Sequence, residues 1–296
     1  MTRSKAVCAM AASLVIALSG CSRGSGSSQR KVIQNKGSDT LVNVAQTWAE
    51  EYKKVNPNVA VAVTGGGSGT GISALINGTV DIANSSRTMK DSEVAQAKAK
   101  GITPKEHIVG HDALAVFVHK DNPIGSFTIA QLADIYGEGG KVTKWSDLGV
   151  TVPGCDSGEI VRVSRQNNSG TYEYFREAVL GEKREYKLGS RDMHGSKDVV
   201  DLVAHTPCAI GYSGLAYAEA GARMPCISKA AGEPCIQPSF ETALSHTYPI
   251  SRPLFMYTNG EPTGQVKAYL DWILSDAGQC IIFAKGYSPV RQVSCK

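Results

Sequence analysis

From residue 31 onward the apolar positions switch between a period of two and a period near 3.6, and the switching predicts the elements. Residues 31–35 read as a short strand. Over 40–55, Leu41, Val44, Ala45, Trp48, Tyr52 and Val55 recur at three- and four-residue steps, which is one stripe of a helix. Asn56-Pro57 ends it, because a residue before proline avoids the helical region. Residues 59–64 alternate Val with Ala and Thr and read as a buried strand. A glycine cluster at 65–71 leads into a short helix over 70–77, and 80–83 reads as another strand. Further strands are expected over 112–119, 159–165, 208–212 and 253–258. Further helices are expected over 128–136 (with Ile129, Leu132, Ala133 and Tyr136 on one face), 170–180, 196–204 and 263–275. Strand–helix alternation favours a parallel sheet with helices on its faces, so the expected class is α/β. If 113–118 and 254–257 both cross between lobes, the chain leaves one lobe, builds a second and returns. Lobe 1 is then 31–114 plus 255–296, and lobe 2 is 115–254.

The N-terminal pattern differs. Arg3 and Lys5 precede an apolar run from Val7 to Leu18 broken only by Ser13. That length suits the core of a secretory leader and falls short of a membrane span. Leu18-Ser19-Gly20-Cys21 follows and resembles the bacterial lipobox. The resemblance implies a signal peptide over 1–20, cleavage before Cys21 and lipidation of its thiol. The expected location is therefore outside the cytoplasm, anchored to the bacterial membrane through Cys21 (on the outer face of the cytoplasmic membrane or the periplasmic side). Residues 21–30 are rich in Gly and Ser and read as a flexible tether of about 15–20 Å.

Composition narrows the function classes. Of 296 residues, 42% are hydrophobic and 20% charged, an ordinary globular balance. Losing Arg3 and Lys5 with the leader lowers the formal charge by two units from +4. The remaining Lys and Arg are scattered among Asp and Glu, so no basic face suits nucleic acid. Eight cysteines are present, and Cys8 and Cys21 belong to the leader and lipid site. Six remain: Cys155, Cys208, Cys226, Cys235, Cys280 and Cys295. An even count in an exported chain favours disulfides, and no CxxC pair points to zinc. Fifteen pairings are open. Pro234 and Gly232 suggest a tight loop closing Cys226 on Cys235; Cys280–Cys295 is a second expectation, leaving Cys155–Cys208.

Three loop-to-helix junctions share one chemistry: Gly37-Ser38-Asp39-Thr40, Gly67-Ser68-Gly69-Thr70-Gly71 and Asn168-Ser169-Gly170-Thr171. A helix start exposes unpaired N–H groups, glycine admits close approach, and hydroxyls add donors, which together suit an anion. Each junction alone is also what N-capping produces. Three of them, with Arg165 just upstream of the third, point to one shared anion site, since a guanidinium recognises oxyanions through paired donors. Gly69 to Ala74 fits GxGxxA, a dinucleotide pattern, but a long loop separates it from the strand; no GxxxxGK[ST] element occurs. A phosphohydrolase would need a metal cluster or a nucleophile with a base, and the histidines supply no such set.

Gly37 to Thr40, Gly67 to Gly71, Val80 to Arg87 and Arg165 to Thr171 resemble the phosphate-binding proteins of ABC importers, in order and spacing over about 31–296. Arg-x-x-x-Ser-Gly-Thr is the most specific part. The resemblance implies a two-lobed periplasmic-binding-protein fold of type II topology with two hinge strands. It implies no enzymatic activity and no metal or cofactor, with dehydrated phosphate held by hydrogen bonds between the lobes. By position, Ser68 is the donor of the glycine loop, and Arg165, Ser169, Gly170 and Thr171 form the donor turn of the other lobe. Thr40, the backbone of Asp39 and, nearby, Ser38 fall at the first junction. Ser86 stands where some members carry an aspartate that accepts the phosphate proton. A hydroxyl cannot impose that restriction, so Asp39 is the expected replacement acceptor. Arg87 either assists the anion or pairs with a carboxylate outside the pocket. Expected partners are inorganic phosphate, the permease subunits of an ABC importer and the membrane through Cys21, with a monomeric protein. Sulfate or molybdate as ligand, or phosphate sensing without transport, are the alternatives.

Overall fold

The computed structural model describes residues 31–181 and 183–295. The expected leader, Cys21 and the expected tether lie outside the described residues. The chain opens as β1 (Lys31–Gly37), α1 (Val42–Val55), β2 (Val59–Thr64), α2 (Ser68–Ile76), β3 (Ile82–Ser85) and α3 (Asp91–Ala99). It continues through β4 (Pro104–His119), β5 (Ser126–Thr128), α4 (Ile129–Tyr136), β6 (Val161–Arg165), α5 (Gly170–Phe175), β7 (Arg191–Met193) and α6 (Ser196–Ala204). It closes with β8 (Ala209–Gly214), β9 (Ala222–Arg223), β10 (Cys226–Ser228), α7 (Phe240–Leu244), β11 (Ser251–Asn259), α8 (Gly264–Ile273) and α9 (Asp276–Ala284).

The strands form one sheet in the order β2-β1-β3-β11-β4-β8-β6-β7, with β9 beside β4, and β10 pairs β5 separately. β1 runs parallel to β2 and β3, and β6 parallel to β7 and β8. The long strand β4 joins the halves. Its Pro104–Ala113 stretch pairs antiparallel with β11, and Leu114–Val118 pairs antiparallel with β8. Val109 of β4 packs with Ile33, Trp48, Leu254 and Tyr269 in one core. Five residues on, Leu114, Val116 and Val118 pack with Phe127, Trp145 and Tyr212 in another. Ala115 and Phe117, on the opposite face as strand alternation requires, pack with Val163 and Val199. Cores at both ends of the shared strands, around Val109 at one end and on both faces from Leu114 onward at the other, give the two-lobed architecture.

Several elements depart from expectation for physical reasons. α1 begins at Val42, after a turn through Asp39–Leu41. β4 starts at Pro104, where it pairs with Asn259 of β11, and the polar, partly exposed Lys105, Glu106 and His107 hide this stretch from the pattern. α3 has no apolar stripe to read, since Ala97 is its buried residue, and it is started by Glu93 accepting from the Lys90 N–H at 2.9 Å. The expected helix over 170–180 changes at Arg176 into a π turn ending at Leu180. Helix α8 stops at Ile273 and α9 follows as a separate helix. Strands β5, β7, β9 and β10 have two or three residues each, too few to show a period. Disulfides join Cys155 to Cys208, Cys226 to Cys235 and Cys280 to Cys295, with Cα separations of 5.0, 5.4 and 5.4 Å. Among the described residues no helix is long and apolar enough to cross a membrane.

Candidate functional site

The first junction follows β1. The Ser38 N–H donates to the Asn84 carbonyl at 2.9 Å, tying the turn to β3. Ser38 and Thr40 are buried in consequence. Asp39 splits its carboxylate: Oδ1 accepts from the Gly66 N–H at 2.8 Å and Oδ2 from Arg165 Nη2 at 3.2 Å. The second junction begins at Gly67, whose φ of +90° only glycine adopts without strain; an added Cβ would also lie 2.6 Å from the Asn168 carbonyl oxygen. Helix α2 therefore starts at Ser68, two residues earlier than the pattern suggests. The third junction starts α5, where the Ser169 hydroxyl accepts from the Thr171 N–H at 3.1 Å, an ordinary N-cap.

These junctions converge. Ser38 Oγ donates to Ser86 Oγ at 3.0 Å, and Ser68 Oγ lies 3.4 Å from the same atom. The Ser86 N–H donates to Ser68 Oγ at 3.1 Å. Thr40 and Thr171, from opposite sides of the sheet crossing, bring their hydroxyl oxygens to 3.1 Å. Gly170 has no room for a side chain, because a Cβ there would collide with Ser68 Oγ and lie 2.7 Å from Ser86 Oγ. The Gly69 N–H donates to the Asn168 carbonyl at 3.0 Å, and Asn168 Nδ2 donates to the Gly66 carbonyl at 3.1 Å. The second and third junctions thus clasp each other directly.

Arg165 ends β6 with its side chain 1% exposed. Nη1 donates to Ser196 Oγ at 2.9 Å and Nη2 to the His194 carbonyl at 2.7 Å as well as to Asp39. Its Nε is buried with no hydrogen-bond partner. Burial pulls its pKa below the ordinary arginine value, and Asp39 opposes the shift. Arg87 takes no part in this cluster, since its two terminal nitrogens both meet Glu93 at 2.7 Å. The structure thus brings together Ser38, Asp39, Thr40, Ser68, Ser86, Arg165, Gly170 and Thr171. Ser169 stands beside them with its hydroxyl committed to the backbone.

Sequence reasoning missed two charged residues at the same place. Arg252 of β11 and Asp112 of β4 face each other in the strand ladder, and both are almost fully buried. Arg252 Nε and Nη2 donate to Asp112 Oδ2 at 3.1 and 2.8 Å, and Nη1 donates to the Ser86 carbonyl at 3.1 Å. Burial raises the pKa of Asp112, and Arg252 opposes that rise. The available signal was Arg252 as the one charge in β11 and Asp112 at the head of the apolar run Ala113–Val118 in β4. Tyr217 was also unforeseen. Its hydroxyl donates to the Asp39 carbonyl at 2.7 Å, and burial pushes its pKa up to about 12, which keeps it a neutral donor. Among the described residues no group of three His, Cys, Asp or Glu side chains could hold a metal ion. The arrangement is a buried nest of hydroxyls and two guanidiniums, the donor set of a dry oxyanion site.

Comparison with known proteins agrees with this chemistry. A PBP superfamily domain matches residues 22–277. The phosphate-binding protein PstS of Pseudomonas aeruginosa is 36% identical over 269 residues, covering 87% of this chain and 83% of its own. PstS of Bacillus subtilis is 30% identical, covering 87% of this chain and 80% of its own. This chain belongs to the phosphate-binding proteins of ABC importers. Family members are solute-binding proteins, not enzymes, and act outside the cytoplasm. A Clostridium perfringens structure, assigned as a phosphate ABC transporter substrate-binding protein and solved with phosphate bound, superposes with a TM-score of 0.78 at 30% identity. It covers 88% of this chain and all of its own. An ABC-type phosphate transport receptor from Vibrio cholerae gives 0.69 at 26% identity, covering 86% of this chain and 99% of its own.

Proposed function

We propose that this protein captures inorganic phosphate between its lobes and delivers it to the permease subunits of an ABC importer. The observation that carries this reading is the convergence of hydroxyls from three junctions with Arg165, sealed from water. Buried charge-assisted hydrogen bonds are strong because nothing competes for the donors. Lobe 1 is 31–114 with 255–296, and lobe 2 is 115–254. Phosphate meets one lobe, and closure then brings the other side's donors to it. The ligand contacts are Ser38, Asp39, Thr40, Ser68, Ser86, Arg165, Ser169, Gly170 and Thr171. Asp39 supplies the acceptor for the phosphate proton that Ser86 does not enforce. Residues 1–20 are a cleaved signal peptide, Cys21 carries the lipid anchor, 21–30 are the tether, and the protein works as a monomer.

Calorimetry of the purified protein against phosphate, arsenate and sulfate tests the reading. Phosphate and arsenate should bind, sulfate far more weakly. Preference for sulfate or molybdate would replace it with another oxyanion. Arg165→Ala should weaken phosphate by about 100-fold, the scale of losing charge-assisted hydrogen bonds. A circular dichroism spectrum matching the parent should accompany that loss. Near-parental affinity in the variant would remove Arg165 from the site.

A further inference from the structure

We propose that Arg252, held by Asp112, is a positioning residue that leaves the paired hydroxyls of Thr40 and Thr171 with one O–H to donate to the bound anion. The inference rests on the phosphate reading above and assigns a role to two residues outside its contact set. Arg252 is fully buried at the start of β11. Its Nη2 lies 3.3 Å from Thr40 Oγ1 and 3.1 Å from Thr171 Oγ1. A guanidinium has five N–H donors and no acceptor; Asp112 takes one of the two on Nη2, so both hydroxyls accept from the other, which they share. The two threonine oxygens are also 3.1 Å from each other. One O–H is used between them. The other hydrogen then points away from Arg252, and both side chains are buried. A buried O–H left unmatched costs free energy, so that hydrogen requires an acceptor. An anion oxygen meets the need.

The position of Arg252 matters as much as its charge. Thr40 precedes α1 on one side of the site, and Thr171 lies in α5 on the other. Arg252 sits on a strand shared by both halves, and its Nη1 also holds the Ser86 carbonyl at 3.1 Å. Its guanidinium carbon lies 5.5 Å from the centre of the Tyr174 ring, within the range of a cation–π contact. Asp112, directly opposite in the ladder, occupies two of its N–H groups and cancels the buried charge. Lysine could not replace this device: a point ammonium on a flexible stem cannot reach a carboxylate, a carbonyl and two hydroxyls in fixed directions.

Calorimetry with Arg252→Lys, Thr171→Val, Thr40→Val and the combined variants tests the assignment. Arg252→Lys alone should weaken phosphate by about 10–100-fold. In the Thr40→Val, Thr171→Val background the same change should cost less than about threefold, since a positioning residue loses its effect with the groups it positions. Equal losses in both backgrounds would make Arg252 a structural residue and overturn the proposal. Because an unpaired Asp112 could unfold the single variant, the neutral pair Asp112→Asn with Arg252→Gln is measured beside it. Parental affinity in that folded pair would also overturn the proposal. Failure of the unaltered protein to bind phosphate is a different result. It overturns the phosphate reading, on which the role of Arg252 depends.

Discussion

Ser68 shows how a neighbour decides what a hydroxyl does. Its oxygen accepts from the Ser86 N–H, so its own hydrogen is left to give. Asp39 is the converse, an acceptor-only group among donors. Oδ2 meets Arg165 through one bond of 3.2 Å and keeps a further lone pair. Asp39→Asn removes half of that acceptor capacity at constant volume. Its lost ion pair with Arg165 changes the binding of every anion, so the informative quantity is a ratio. The preference for phosphate over sulfate should fall by about 10-fold or more in calorimetric titrations at neutral pH, the scale of one charge-assisted hydrogen bond. An unchanged ratio would reduce Asp39 to a partner of Arg165. At this scale the clustered residues were legible, because glycine, hydroxyls and arginine at a helix start combine in few other contexts. Asp112 and Arg252 were not, because their pairing spans a sequence separation of 140 and each alone reads as a charge interrupting a strand.

The elements were legible where burial is one-sided. Helix α1 buries Val44, Ala45, Trp48 and Tyr52, the stripe its sequence displays. Helix α3 lies on the surface with Ala97 buried, and no period could announce it. The break after Phe175 was illegible for another reason: apolar residues continue across it, and only packing decides where the helix changes. How closely α5 approaches α2 was equally hidden. Gly170 tolerates no Cβ, since Ser68 and Ser86 occupy the space. At the first position of a helix alanine is otherwise acceptable. Gly170→Ala should therefore leave thermal stability of the ligand-free protein near the parent while weakening phosphate by about 10–100-fold, the cost of overpacking. Calorimetry and a melting curve read both. A parental affinity would show that the two junctions do not close on each other in the bound protein.

Across the whole molecule, both halves meet at the strand crossing and again at a charged contact far from it in sequence. Lys90, at the start of α3, places Nζ 2.9 Å from Glu173 Oε1 of α5, and Arg176 Nη2 lies 3.0 Å from the same oxygen. This pair joins residues of the two proposed lobes, and under the proposed closure it is made in the closed form and lost in the open one. Burial pushes the pKa of Glu173 up, but hydrogen bonds and charge from Lys90 and Arg176 outweigh it and hold the carboxyl below its ordinary 4.5. A depressed carboxyl stabilises the folded, closed form above its unfolded pKa and loses that contribution as pH falls through the lower folded value. Lys90 is largely solvated, which limits such a pair to about 0.2–1 kcal/mol. Glu173→Gln should accordingly speed phosphate release by about two- to fivefold at pH 7, measured by stopped-flow chase. As pH falls below the ordinary carboxylate range the parent's release rate should converge on the variant's, because the parent's carboxyl takes up its proton there. A difference that persists undiminished in acid would mean that Glu173 acts through packing rather than charge. Equal rates at pH 7 would mean that the contact is already broken before phosphate leaves.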